Sequence, residues 1–295
     1  MNDIKKIVWA CDFYKVSTNA LKYAEIVAKA FDAEIIALTV VQQPCIAHYK
    51  LPFDASSQIK NYARSRTGKA EKIFSRMVKQ EKQKKIKFNY VIKEGRAHEE
   101  ISNVVLNEKA DLVIMGSRGA HEGILVGSTA TKVVKTCHIP AMVVKKVKKE
   151  GKISRILIPT DLTHHWAEAF DLGVKIADRL NAEVYIVHII EIYSYEGIEE
   201  VYDKLLSQAT TMVEECCDSI KKKAGNLRIY EFARKATNAP AGILNFIEQK
   251  NIDLVVMQTH ARTGAGKFLL GSVTEKILNQ TNIPVIVVHH HEEKK

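Results

Sequence analysis

The chain is one unit written twice. ADLVIMGS at 110–117 is answered by IDLVVMQT at 252–259, and LVGSTATKVVKTCHIPAMVV at 125–144 by LLGSVTEKILNQTNIPVIVV at 269–288. KKIVWACD at 5–12 is answered by SRILIPTD at 154–161. The spacing is 149 residues at Asp12/Asp161, 142 at Asp111/Asp253 and 144 at Gly127/Gly271. Repeats of solenoids and propellers run to about 50 residues at most, so this period is that of a whole domain. Two domains follow, 1–147 and 148–295, joined through the charged stretch Lys145–Lys152.

Within each copy the pattern alternates between β-branched runs and helical periodicity. In the first copy it predicts strands at 4–10, 34–41, 86–93, 111–116 and 141–145, and helices at 17–31, about 57–85, 97–109 and 127–137. Leu21, Ala24, Val27 and Ala28 supply the i, i+3, i+4 spacing of the first helix. The second copy repeats the strands near 153–159, 183–190, 227–234, 253–258 and 284–289. Strands joined by helices form parallel sheets covered on both faces. The expected fold class is α/β, with two tandem open five-stranded sheets.

Composition narrows the class further. Apolar residues are 46% and charged residues 26%, which excludes bulk disorder. No apolar run approaches the ~18 residues of a membrane span, and Asp12 interrupts the N-terminus too early for a signal-peptide core. The expectation is a cytoplasmic protein without integral membrane association. The cysteines Cys11, Cys45, Cys137, Cys216 and Cys217 are odd in number and contain no C-x-x-C, so reduced, packed thiols are expected. The net charge of +10 is uneven: residues 1–147 carry 25 Lys+Arg and 14 Asp+Glu, residues 148–295 carry 19 and 20.

Open parallel sheets bind ligands beyond the carboxyl ends of their strands, where strand order reverses. Asp12 and Asp161 follow the first strand of each copy, and a loop bearing glycines follows the fourth. That loop runs from Gly116 and Gly119 to Gly127-Ser128, and from Gln258 to Gly271-Ser272. Glycines with positive φ could bring the backbone close to an anion, and Ser128 or Ser272 could cap the next helix. The helix N-terminus would then face phosphate, with Lys132 and Lys276 one turn further in. No Walker A sequence occurs.

These residues resemble the universal stress proteins, in two copies that cover nearly the whole chain. The resemblance rests on ILIPTD, DLVVM, LLGSVTEKIL and IPVIVV together. It implies strand order 3-2-1-4-5, ATP or AMP bound through G-x2-G-x9-G-[S/T], an Asp after the first strand and an apolar residue ending the second. It also implies no dedicated catalytic apparatus, no metal beyond nucleotide-associated magnesium, and fifth strands that pair between domains. On that last ground the two copies are expected to form an intramolecular pseudo-dimer. Carried over, the site residues are Asp161, Ile189, Gly271 and Ser272 in the second copy, where Arg262 is added for its charge. In the first they are Asp12, Val40, Gly116, Gly119, Gly127 and Ser128.

Both copies depart from the signature. Only seven residues separate Gly119 from Gly127, while Gln258 and Ala261 replace the first two glycines of the second copy. A shortened loop displaces whole N–H groups, whereas alanine at positive φ costs only about 1–2 kcal/mol. The second copy is therefore the preferred nucleotide site. Gly264 and Gly266 keep its loop pliable, and Arg262 and Lys267 could face phosphate.

Three other features compete for attention. His164-His165 are adjacent on a helix start, and His289-His290-His291 are expected in a frayed tail, so no metal site is assigned. Arg64–Lys87 holds ten Lys+Arg and two Glu around Ile73, Phe74, Met77 and Val78 at helical spacing. It reads as an amphipathic helix with a solvated face, with an acidic protein or a membrane surface as the secondary reading and nucleic acid disfavoured for want of a motif. The apolar fifth strands, 141–144 and 285–288, would be sheet edges that need pairing, and homodimerisation of the whole chain stays open. Two functions follow: a regulatory adenine-nucleotide binder, and a nucleotide-independent adaptor with vestigial sites and a basic partner-binding face.

Overall fold

A computed structural model describes residues 3–42, 53–117, 126–146, 152–163, 167–192, 199–221, 227–259 and 270–289. Contacts divide the chain into two compact units, one of Asn2–Glu122 with Gly127–Ile139, the other of Gly123–Val126 with Pro140–Lys295 and Met1.

In the first unit, strands β1 (Lys6–Ala10), β2 (Glu34–Val41), β3 (Lys87–Glu94) and β4 (Leu112–Gly116) alternate with helices. These are α1 (Lys15–Phe31), α2 (Phe53–Gln83), α3 (Ala97–Glu108) and α4 (Ser128–Thr136). The strands pair in parallel in the order 3-2-1-4, with Ala10 opposite both Leu38 and Met115. Apolar runs buried on both faces explain why β1 and β4 are central: Ile7, Val8, Trp9, Leu112, Val113 and Ile114 are fully enclosed. Helix α1 begins two residues earlier than periodicity suggests. Its first turn, with Val16, Ser17 and Thr18, has weak helix propensity. Tertiary packing overrides that, since Ser17 is buried against Gly116 and its carbonyl accepts from Trp9 Nε1 at 2.9 Å.

The second unit repeats the plan with β6 (Arg155–Thr160), α5 (Ala167–Leu180), β7 (Glu183–Glu191), α6 (Glu199–Lys221) and β8 (Ile229–Ala236). It continues with α7 (Ala239–Gln249), β9 (Leu254–Thr259), α8 (Ser272–Gln280) and β10 (Val285–His289). Its parallel strands run β8-β7-β6-β9-β10, again 3-2-1-4-5 in local order.

The strand β5 (Ala141–Val144) belongs to this second unit although the first copy encodes it. It pairs antiparallel with β10, Met142 opposite Ile286. Lys145 Nζ donates to the Asn279 carbonyl at 2.5 Å, and the Val126 N–H to Asn279 Oδ1 at 2.9 Å. The hydrogen-bonded order is one ten-stranded sheet, β3-β2-β1-β4-β5-β10-β9-β6-β7-β8, in place of the two five-stranded sheets expected, with the fifth strands paired to each other. The physical reason is edge satisfaction: β5 and β10 are short, apolar and wholly buried, and each completes the other's ladder.

His289 corrects a further expectation. It ends β10 opposite Thr259 and is buried, so it is not part of a frayed tail. His164, His165, His290 and His291 lie outside the described residues. Among the described residues no group of three or more His, Cys, Asp or Glu could hold a metal ion, and no helix is long and apolar enough to cross a membrane. Cys11, Cys137 and Cys217 are buried and Cys216 is half-buried.

Candidate functional site

In each copy the chain leaves the first strand through the same turn. The residue after the aspartate is left-handed, Phe13 at φ 65° and Leu162 at φ 62°. Each aspartate Oδ1 accepts an N–H two residues on, from Tyr14 at 3.1 Å and from Thr163 at 3.0 Å. This Asx turn lets an exposed carboxylate stand at the carboxyl edge of the sheet. A bulky residue in the left-handed region is costly, and the turn that holds it there was not legible from the strand pattern.

The two aspartates differ in what else holds them. Asp12 Oδ1 also accepts from the buried Ser17 hydroxyl at 2.5 Å. Ser17 in turn offers its carbonyl to Trp9 Nε1 at 2.9 Å, so the carboxylate is anchored through α1 to the core. Asp161 Oδ1 accepts from the exposed Thr163 hydroxyl at 2.7 Å, a partner carried by the turn itself. Ser17 escaped sequence reasoning because no local rule links positions five apart across a turn. A Thr two residues after Asp161 is the one signal present.

Gly116 ends β4 and meets the start of α1. A Cβ there would lie 2.7 Å from Ser17 N, 2.9 Å from Ser17 Cα and 3.0 Å from Val16 C, all backbone. Close helix–strand packing thus accounts for this glycine. In the second copy Gln258 takes its place, and its side chain bridges to the first turn of α5. Gln258 Oε1 accepts from the Ala169 N–H at 3.4 Å, and Nε2 donates to Glu168 Oε2 at 3.2 Å. A signature position that reads as damaged is therefore a helix-start tie.

Gly127 and Gly271 are themselves the N-caps of α4 and α8, so Ser128 and Ser272 are the first helical residues and not the caps expected. Nor do these glycines use positive φ, standing at −65° and −60°. Neither helix has a side-chain cap. Each cap glycine is drawn to the fourth strand, the Gly127 N–H to the Ser117 carbonyl at 2.7 Å and the Gly271 N–H to Thr259 Oγ1 at 2.9 Å. First-turn N–H groups have no intrahelical acceptor, so each helix start carries donors of the kind an anion takes. Ser128, Ser272, Lys132 and Lys276 are exposed there.

Asp12, Gly116 and Gly127 are thus brought to one end of β1 and β4, and Asp161 and Gly271 to the matching end of β6 and β9. Val40 lies half-buried one residue before the end of β2. Ile189 is buried two residues before the end of β7. A Cβ on Gly242 would meet Ile189 Cγ2 and Cδ1 at 2.9 Å, so the Ile189 side chain packs on α7. His188 beside it places Nδ1 2.9 Å from the Thr160 carbonyl. Gly119, Ala261, Arg262, Gly264, Gly266 and Lys267 lie outside the described residues.

Burial pushes the Cys11 thiol up to about 12, against smaller opposing bonds from the Phe13 N–H and Ser17, and the Cys137 thiol up to about 11. Both are inert protonated groups at neutral pH.

The fold and this strand-end arrangement define a duplicated open α/β protein with an Asx-turn aspartate and a glycine-capped helix start at the same end of the sheet in each copy. Comparison with known proteins agrees. The model of the universal stress protein family matches residues 3–145 and 152–289, and the chain belongs to that family. A universal stress protein of Methanocaldococcus jannaschii is 36% identical over 145 residues, 47% of this chain and 84% of that protein. Among solved structures, a universal stress protein from Archaeoglobus fulgidus superposes with a TM-score of 0.72 at 20% identity, covering 96% of this chain and 98% of the other. A functionally unknown protein from Pseudomonas aeruginosa gives 0.69 at 14% identity, covering 97% and 92%. Both share the fold.

Proposed function

We propose that this universal stress protein holds an adenine nucleotide, ATP or AMP, in at least one copy and responds to it as a regulator. The observation that carries the reading is a helix start without a side-chain cap and an Asx-turn aspartate at the same end of the sheet, in both copies. Phosphate oxygens would take the first-turn N–H groups of α8, beside Gly271 and Ser272, and Arg262 would add charge. Asp161 would accept from ribose hydroxyls or the adenine amino group. Bound magnesium would neutralise phosphate charge.

The second copy is the better candidate because its aspartate bonds to an exposed hydroxyl. Asp161 is held by an exposed threonine in its own turn, whereas Asp12 is anchored to buried Ser17. A ligand hydroxyl can replace the first partner at lower cost than the second. Reading residues 1–147 and 148–295 as two domains, paired as an intramolecular pseudo-dimer, belongs to the same proposal and is supported by the β5–β10 ladder.

Titration calorimetry with ATP, ADP and AMP tests the proposal. Binding should weaken about tenfold in Asp161→Ala and more in Gly271→Asp, which sets a carboxylate at the phosphate end. No heat with any of the three nucleotides refutes it. The adaptor reading keeps one supporting observation: all ten basic side chains of the stretch from Arg64 to Lys87 are exposed.

A further inference from the structure

The second helices of the two copies occupy equivalent places in the repeat, and their surfaces are opposite in charge. Helix α2 carries eight Lys+Arg against three Asp+Glu, and α6 carries two against six. On α2 the buried stripe is Ala63, Ala70 and Phe74, and on α6 it is Ala209, Val213 and Cys217. Advancing 100° per residue, Lys72, Arg76 and Lys79 project away from the first stripe, and Glu200, Glu215 and Asp218 away from the second.

The match extends to apolar surface. Tyr62 and Ile73 on α2 are 46% and 38% exposed, and both lie along one flank of the charged face. Val201, Leu205 and Met212 on α6 are 54%, 42% and 47% exposed and occupy the same flank. Large apolar side chains grouped beside a face dominated by one sign, with exposed Lys204 the one cation among the acidic residues of the α6 face, are the composition of a contact surface. A solvated face needs charge alone.

We infer that copies of this chain associate with one another through these two helices, the basic face of α2 in one chain against the acidic face of α6 in the next. Charge sets the orientation and excludes like pairing of α2 with α2 or α6 with α6. The exposed apolar flanks supply the area that closes on contact. Each chain presents one surface of each kind, so the contact is heterologous and can extend beyond a pair. The inference does not depend on nucleotide.

Sedimentation velocity of the full chain across concentration, in low and high salt, tests it. Two charge-reversed variants accompany the natural protein. One carries Lys72→Glu, Arg76→Glu and Lys79→Glu; the other carries Glu214→Lys, Glu215→Lys and Asp218→Lys. All substituted side chains are exposed, and circular dichroism checks that each variant folds. The natural chain should associate, weaken as salt rises, and lose about tenfold or more in association constant in either variant. Mixing the two variants restores opposite charges across the contact and should restore association, as should one chain carrying all six changes. A monomer at every concentration, association indifferent to salt and to both variants, or variants that weaken yet fail to recover on mixing would each overturn the inference. So would α2 reversal that abolishes binding to a nucleic acid oligomer or an acidic polypeptide while leaving self-association intact.

Discussion

Gly116→Ala separates a glycine kept for packing from one kept for a ligand. The added methyl would sit 2.7 Å from Ser17 N and 2.9 Å from Ser17 Cα. Carbon contacts relax near 3.5 Å, so the start of α1 must retreat by roughly 0.8 Å. Backbone cannot rotate aside as a side chain can, and the retreat strains the Ser17 bonds to Asp12 and Trp9. Overpacking of this kind costs about 1–3 kcal/mol, which lowers the melting temperature by roughly 2–12 °C for a unit of this size. Gly271→Ala is the control. Its methyl would meet Thr259 Oγ1 at 3.6 Å and Thr274 Oγ1 at 3.9 Å, ordinary contacts, at an unstrained φ of −60°. Loss of a glycine N-cap costs no more than about 1 kcal/mol. Thermal unfolding is followed by tryptophan fluorescence in a Trp166→Phe background, which leaves buried Trp9 as the reporter of the first unit. The reasoning fails if Gly116→Ala melts with the parent, or if Gly271→Ala loses as much in a calorimetric scan of the whole chain.

Three further outcomes are expected. Lys84 bridges Glu25 at 2.9 Å and buried Glu81 at 2.8 Å. Burial pulls its ammonium down, but the two carboxylates outweigh that and its pKa lies above the ordinary 10.5. Lys84→Met should therefore cost about 1 kcal/mol at neutral pH after screening, with the difference from wild type shrinking in urea titrations as pH rises through and beyond 10.5. Cys11 holds its proton to about 12 when folded, whereas an unfolded thiol loses it near 9. Stability must then fall as pH climbs between those values, and Cys11→Ala should flatten that slope; an unchanged slope would be contrary. In a Cys45→Ser background, Cys216, which is partly exposed, should react with a maleimide well before buried Cys11 and Cys137, as peptide mapping would show.

Much of the fold was legible because the strands are written in an unambiguous alphabet. Glu34–Val41 is a strand over the residues its β-branched run marks, and β4 and β9 follow their repeated Asp-Leu-Val runs within a residue. The helix starts were less legible. Val16, Ser17 and Thr18 carry poor helix propensity, and contacts made by neighbouring elements, among them Gly116 of β4 against Val16 and Ser17, support the helix there. Joining of the sheets at β5 and β10 is a long-range pairing that no local pattern specifies, although apolar edge strands marked the need for a partner. The aspartates after the first strands and the glycines before α4 and α8 were marked by repetition. The Asx turns with Phe13 and Leu162, the Ser17 anchor and the Gln258 tie were not, because each depends on where a neighbouring element arrives.

The ladder between β5 and β10 bears on how the halves of this sequence are free to change. A strand supplied by a separate identical subunit must recognise itself, so every substitution near it appears on both sides of the seam at once. Here the seam joins two different segments of a single polypeptide, and the tether holds them at an effective concentration no free partner matches. Self-complementarity is no longer required of either segment. A substitution on one side need not be mirrored on the other, and pairing strength can be lost locally without loss of the pair. Under that tolerance, a half with a surplus of eleven positive charges and a half with one surplus negative charge can persist in the same molecule.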